Sequence, residues 1–374
     1  MEKIAIPTTI YSGDDSLSVL KIINQATVLL VCDPFLPGTP GLKSIQTQID
    51  DSNQTTVFSD VKPNPPLTNI MAGVKIFNQI KPQYVIAVGG GSAIDTAKAI
   101  RFFGERLNQT EIKCFIAIPT TSGTGSEVTN TAVVSDEKNA SKTPIIKDHL
   151  TPDIALLDPK LVMSAPASVT AFSGLDVLTH ALESLVSVDA GANVISTALS
   201  EEAIDIIVNH LVTCYKQPDN YEARKIVHEA SNAAGMAFNT AGLGIAHSIA
   251  HQLGAQFHLP HGLACAMMLP IVIEFNAQDH KVRDKYVKAA VKAGIGNRNL
   301  SPRLEIKRLQ NTIYKMMDQM KCPHNLRAFG VDPAEAKAKT EVVVKAARAD
   351  GTFPGNPIVP TDEQLTKVYQ AVIG

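Results

Sequence analysis

The chain is short of cysteine, of net charge and of long apolar runs, and each shortage excludes something. Its five cysteines (Cys32, Cys114, Cys214, Cys265, Cys322) are odd in number, scattered, and never form a C-x-x-C pair. They read as reduced thiols in a cytosolic protein, not as a disulfide framework. A formal charge of −2 gives no reason to expect nucleic acid or an anionic membrane as partner. No apolar run approaches the ~20 residues that a membrane helix needs. The start MEKIAIPTTIYSG also lacks the apolar stretch of a secretion signal. At 374 residues the chain exceeds the usual single-core limit, so two domains are expected.

The first part alternates short β-branched runs with helical patterns. TVLLVC (27–32), TTVFSDV (55–61), YVIAVGGG (84–91) and CFIAIPTT (114–121) each read as a strand ending in turn or loop residues. Near-continuous apolar strands alternating with helices predict a parallel, Rossmann-like sheet covered on both faces. From SAPASVTAF onward long amphipathic stretches dominate, such as ISTALSEEAIDIIVNHLVTCYK and YEARKIVHEASNAAGMAFNTA. The expected division is therefore an α/β domain over residues 1–163 and an all-α domain over residues 164–374.

Three places in the first domain suit a nucleotide. YVIAVGGGSAIDTAKAI is a strand, three glycines and a helix start, where backbone N–H groups at a positive helix end meet a pyrophosphate. Ser92 with Asp95 three residues later forms a capping-box-like pair. The pattern is not G-x-G-x-x-G, because Ile94 replaces the third glycine. Asp33, closing TVLLVC, can accept hydrogen bonds from ribose hydroxyls and would repel a 2′-phosphate. IPTTSGTGSEVTNTAVV gathers Thr120, Thr121, Thr124, Ser126, Thr129 and Thr131 after a strand, beside Gly123 and Gly125. Each loop alone also reads as an ordinary turn; two at strand C-termini predict a ligand crevice.

The second domain carries pairs at helical spacing. Asp176 and His180 lie four apart in GLDVLTHALES, as do His247 and His251 in GIAHSIAHQLG, with His258 and His261 soon after. Residues four apart share a helix face, so each pair can point into one cavity. Three imidazoles and one carboxylate suit Fe(II) or Zn(II) with a position left for a substrate oxygen. Spacing does not decide which imidazole is left out. A zincin protease is excluded because Ser248, not Glu, follows His247. A metal hydrolase or a non-catalytic nucleotide sensor each leaves one half of this pattern without a job. A dinucleotide crevice with a Lewis acid points to hydride transfer at a carbinol carbon.

The segments VLLVCD, PNP, GGGSAIDTAK, IPTTSGTGSEVT, GLDVLTHALES and AGLGIAHSIAHQLGAQFHLPHG resemble the iron-containing (group III) alcohol dehydrogenases. Within them, AHQLGAQFHLPHGLA is most similar to the propanol dehydrogenases of propanediol-utilisation operons and their ethanolamine-utilisation relatives. The resemblance implies a dehydroquinate synthase-like architecture, with Asp176, His180, His247 and His261 as ligands of Fe2+ (Zn2+ the alternative). His251 is then the unligated imidazole on the proton path. For NAD(H) it implies Asp33 and Asn64 at the adenosine end and Gly90, Gly91 and Ser92 on the pyrophosphate. Asp95 belongs to that helix start, and Thr120, Thr121, Thr124, Thr129, Thr131, Lys142 and Val162 complete the crevice. The implied reaction is reduction of short aldehydes such as propionaldehyde to 1-propanol, with a polyol dehydrogenase as the nearest alternative. The implied setting is a homodimer or larger homo-oligomer in the cytoplasm or a bacterial microcompartment, with MEKIAIPTTIYS offering an edge strand. The chain departs from the family's Asn-Pro-Arg pattern at Ile358, after Asn356 and Pro357, and reads Thr143-Pro144 after Lys142.

Overall fold

The structure, a computed structural model, describes residues 5–63, 65–136, 141–189, 191–297 and 300–374, with the backbone alone at 136 and 141–143. Internal contacts divide the chain into one unit of residues 6–165 and another beginning at Pro166.

In the first unit the strands are β1 (Thr9–Ser12), β2 (Thr27–Cys32), β3 (Gln54–Phe58), β4 (Tyr84–Gly89), β5 (Cys114–Pro119), β6 (Thr131–Asp136), β7 (Ser141–Ile146) and β8 (Ile154–Leu157). Six of them form one sheet in the order β1-β8-β5-β4-β2-β3, every pair parallel. Side chains alternate across it. Leu29, Val31, Val85, Ala87, Phe115 and Ala117 pack on one face with α2 (Leu67–Ile80) and α3 (Gly91–Asn108) once α1 (Pro40–Gln46) has been passed in the chain. Val28, Leu30, Ile86, Val88, Ile116 and Ile118 pack on the other with Leu42 and Ile45 of α1. Both faces are dry, which is why the strands read as unbroken apolar runs. β6 and β7 make a separate antiparallel pair that the sequence did not announce, with Pro144 opposite Val133.

The sheet order fixes where a ligand can enter. From β2 the chain steps outward to β3, and from β4 it steps the other way to β5. The C-terminal ends of β2 and β4 therefore flank a topological switch point, the usual crevice of an open α/β sheet.

The second unit opens with α4 (Ala167–Val186), α5 (Val194–Lys216), α6 (Tyr221–Ala241), α7 (Ile245–Phe257) and α8 (His261–Asn276), and further helices continue to Gln370. A capping box between Asn193 and Ser196 starts α5. Residues 262–270 of α8 are all buried, so that helix runs through the centre of its unit. Its first residue, His261, is delivered to the packed helices around α4. Among the described residues no helix is long and apolar enough to cross a membrane.

Candidate metal centre and nucleotide crevice

In the helical unit α4 carries Asp176, His180 and Glu183 at a spacing that keeps all three on one face. His247 and His251 come from α7, and His261 begins α8. The structure gathers these donors around Asp176. Its Oδ1 lies 3.5 Å from His247 Nε2, 3.7 Å from His261 Nε2 and 4.0 Å from His180 Nε2. The His180 ring stacks on His247 with centroids 4.7 Å apart. Asp176, His247 and His261, together with Cys265, have donor atoms all within 4.8 Å of one another. His258 stands apart: it is exposed, at φ +56, and closes the C-terminus of α7.

Two atoms in this cluster are buried without a hydrogen-bond partner, Asp176 Oδ1 and His247 Nε2. The two face each other at 3.5 Å as an ion pair that lacks hydrogen-bond geometry, so their bonding capacity is largely unused. A divalent cation between them would satisfy both, so the residues fit the group the spacing implied. The electrostatics run the same way. Burial alone would raise Asp176, yet His180, His261 and His247 hold it far below the ordinary carboxylate range. Burial alone would lower His247, yet Cys265, Asp176 and Glu183 push it well above its ordinary value. Such a pocket favours positive charge among its donors.

Sequence reasoning missed Glu183 and Asp350, which position these donors, and met Asn356 only as part of a family pattern. The buried Glu183 carboxylate accepts from His247 Nδ1 at 2.6 Å and from the Ala246 and His247 backbone N–H groups at 2.7 and 3.4 Å. It thus caps α7 from a distance and turns His247 Nε2 toward Asp176. Asn356 Oδ1 accepts from Ile245 N–H at 3.3 Å, while its amide donates to Ile358 O at 2.7 Å and Asn276 Oδ1 at 2.8 Å. Ile358 itself packs on the helical core, so the departure from Asn-Pro-Arg places a partly buried apolar side chain there. His251 Nδ1 donates to Asp350 Oδ2 at 2.8 Å, and Thr352 donates to Asp350 Oδ1 through N–H and hydroxyl. Burial would raise Asp350, but His251 and Thr352 outweigh it and hold the carboxyl below its usual value.

In the α/β unit, Asp33 follows β2 and Gly90 follows β4, and the Gly90 N–H donates to Asp33 Oδ2 at 2.9 Å across the switch point. Burial raises Asp33, opposed by that bond. Gly89 (φ +148) must be glycine, since a Cβ there would lie 2.4 Å from Asp33 Oδ2. Thr121 and Thr124 sit against the loop, their side chains 3.5 and 2.8 Å from where Cβ atoms on Gly90 and Gly91 would be. Thr120 N–H donates to Gly89 O at 3.0 Å. These residues come together as one cradle.

The Ser92–Asp95 capping expectation is corrected. α3 begins at Gly91 with Gly90 as the extended N-cap and no side-chain cap, so Ser92 falls inside the first turn. Asp95 instead accepts from Ser126 Oγ at 2.6 Å and Val133 N–H at 3.0 Å. The fully buried Lys98, also missed, donates to Ser126 Oγ, Thr129 O and Oγ1, and Thr131 O at 2.8–3.1 Å. Asp95, Thr129 and Thr131 therefore engage one another's neighbourhood through a knot that holds the threonine loop to α3. The first-turn N–H groups of α3 are left without a side-chain cap, which suits an anion. Val162 is buried after the turn Pro159–Leu161, its N–H donating to Pro159 O at 3.2 Å. Asn64 and the Lys142 side chain lie outside the described residues.

An open α/β sheet with a glycine cradle, and a helical unit with a carboxylate ringed by imidazoles, define a metal-dependent dehydrogenase of two units. Residues 7–159 match the iron-containing alcohol dehydrogenase domain, and residues 170–373 match the C-terminal domain of the Fe-containing alcohol dehydrogenase family. The chain belongs to this family and is an oxidoreductase. It is similar to the 1-propanol dehydrogenase PduQ of Citrobacter freundii, at 38% identity over 373 residues covering 100% of both chains. The crystal structure of a 1,3-propanediol oxidoreductase matches with TM-score 0.91 and 28% identity over 99% of this chain and 100% of that one. That of a sulfoacetaldehyde reductase from Bifidobacterium kashiwanohense, in complex with NAD+, matches with TM-score 0.88 and 26% identity over 100% and 98%.

Proposed function

We propose that this alcohol dehydrogenase interconverts short aldehydes and alcohols with NAD(H) and Fe(II), chiefly reducing propionaldehyde to 1-propanol. The observation that carries the metal-dependent reading is the pair of buried donors Asp176 Oδ1 and His247 Nε2, which face each other at 3.5 Å without a hydrogen bond. Full-length similarity to a 1-propanol dehydrogenase supports the substrate. Asp176, His180, His247 and His261 would hold the metal, while Asp33, Gly90, Gly91, Ser92, Thr120, Thr121 and Thr124 would hold the dinucleotide. Bound there, the two groups supply Lewis acidity at the substrate oxygen and the hydride. Glu183 keeps the His247 Nδ1 proton in place, so that Nε2 presents its lone pair. Asp350 holds the Nδ1 proton of His251, so that Nε2 of the imidazolium would give its proton to the carbonyl oxygen, and Nε2 of the neutral ring would take one from the alcohol in the reverse direction.

The working state we propose is a homodimer or larger assembly in the cytoplasm or a bacterial microcompartment. β1 at the edge of its sheet supports strand pairing with a second copy. Purified without oxygen and loaded with Fe(II), the protein should consume NADH with propanal. Absence of turnover with every short aldehyde and alcohol ends the proposal. The structural likeness to a 1,3-propanediol oxidoreductase favours a polyol substrate as the second reading. A panel of glycerol, 1,2-propanediol and 1-propanol separates the two by kcat/KM.

A further inference from the structure

α7 has no cap of its own. Gly244 precedes it without a side chain, and its first three N–H groups belong to the buried residues Ile245, Ala246 and His247. Glu183 meets the last two. The first falls to Asn356, which arrives from the C-terminal segment 111 residues on. A Cβ on Gly244 would lie 2.8 Å from Asn356 Oδ1 and 2.9 Å from Glu183 Oε1, so both acceptors converge on the start of the helix.

Asn356 is fixed there by its full bonding capacity. Its Oδ1 accepts from Ile245 N–H at 3.3 Å and Asn276 Nδ2 at 3.0 Å. Its Nδ2 donates to Asn276 Oδ1 at 2.8 Å and Ile358 O at 2.7 Å. An amide oxygen has two lone pairs and an amide nitrogen two hydrogens, and here each is used. Asn276 ends α8, and both asparagines are buried. The same C-terminal segment grips α7 twice more. Ser248 Oγ donates to Ala347 O at 2.9 Å, and Asp350 accepts from His251. A Cβ on Gly355 would lie 2.1 Å from Leu243 O, so the segment lies tight against the residues that lead into α7.

We propose that the Asn276–Asn356 amide pair positions His247 for the metal. The inference rests on the metal reading given above. Without Asn356 the Ile245 N–H is stranded in the core, and the acceptor already beside it is Glu183. A carboxylate drawn toward Ile245 gives up His247 Nδ1, and the ring loses the bond that aims its Nε2. The pair thus acts through Glu183 and touches neither substrate nor metal.

The test follows the His247 Nδ1 proton by NMR in full-length protein with isotopically labelled histidine, metal-free and loaded with Zn(II). A ring N–H held by a buried carboxylate at 2.6 Å resonates far downfield, and its persistence in His251→Gln assigns it. In Asn356→Ala this resonance should move upfield or vanish. Zn(II) affinity should fall by about 10-fold or more, with KM for NADH unchanged. Asn276→Ala should give the same changes to a smaller extent, and it carries the test if Asn356→Ala fails to fold. Either variant folded with resonance and affinity unaltered overturns the role of the pair, whatever its melting temperature, and leaves the metal reading standing. If the unmutated protein binds no Zn(II), the metal reading falls and the proposal falls with it.

Discussion

In the α/β unit, Lys98 and Asp95 are buried charged groups whose polar atoms are met by protein: Lys98 by Ser126, Thr129 and Thr131, both Asp95 oxygens by Ser126 and Val133. In the helical unit, Asp176 Oδ1 and His247 Nε2 are buried as deeply and have no hydrogen-bond partner. The first arrangement uses charge to hold a loop in shape beside the uncapped start of α3, the proposed place of the dinucleotide. The second keeps the side chains themselves in reserve, at a cost in stability that a bound ion repays. A nucleotide crevice built from main chain and a metal centre built from side chains thus need opposite internal accounting.

The largest break in that contrast comes from removing an unmet donor. His247→Ala should lose the metal, measured as metal per chain after dialysis, and lower kcat by roughly 100–1000-fold or more. His251→Gln should keep the metal and lower kcat by a smaller factor, because its ring is hydrogen-bonded to Asp350 and not needed to hold the ion. Metal lost from His251→Gln and retained in His247→Ala would reverse the assignment.

Next in size is a pair of glycines, one beside each site. A Cβ on Gly262, next to His261, would lie 2.1 Å from the backbone oxygen of Phe172 on α4. That oxygen cannot step aside, so Gly262→Ala should cost about 1–3 kcal/mol in urea denaturation and lower metal occupancy as α8 shifts. A Cβ on Gly91 would lie 2.8 Å from the Thr124 side-chain methyl, which can rotate. Gly91→Ala also crowds Thr124 Oγ1 and Cβ at 3.1 and 3.2 Å, so it should cost some stability but less than Gly262→Ala, and raise KM for NADH by about tenfold. Equal destabilisation in both would show that the two neighbours are equally rigid.

Both sites were legible in the sequence to different depths. Helical spacing found Asp176, His180, His247 and His251, because a helix turns a local interval into a shared face. Glu183 was also in phase, seven residues after Asp176. Asp350 was not findable this way, since it meets His251 from 99 residues away. The sheet was legible because its strands are dry on both faces. The β6–β7 pair was not, since Pro144 argues against a strand interior. The capping reading of Ser92 and Asp95 failed because Ser126 and Val133, more than thirty residues on, outbid the local partner.

Asp33 tests the main-chain side of the comparison. Its carboxylate takes the Gly90 N–H and stands where a ribose would approach the switch point. Asp33→Gly should lower the ratio of kcat/KM for NADH over NADPH by about 10–100-fold, with metal per chain unaltered. An unchanged ratio would remove Asp33 from cofactor choice and leave it as a brace for the glycine loop.

The smallest effect concerns the satisfied charge itself. Burial, only partly offset by Asp95 and Glu127, pulls Lys98 down to about 8 from its ordinary 10.5. Between those values the unfolded chain keeps a proton that the folded chain has released, so stability should rise with pH through this window. Above 9 the trend is opposed, because burial pushes Cys32 and Cys114 up to about 11 and there the folded chain is the one that keeps protons. The clean interval is therefore between about pH 8 and 9, where the slope is at most about 1 kcal/mol per pH unit. Lys98→Met removes that slope whatever it does to overall stability. Denaturation of both proteins across the interval should show the unmutated chain gaining on the variant as pH rises. Parallel curves would mean that its hydrogen bonds keep Lys98 as easily charged in the fold as out of it, and that the knot holds the threonine loop at no electrostatic cost.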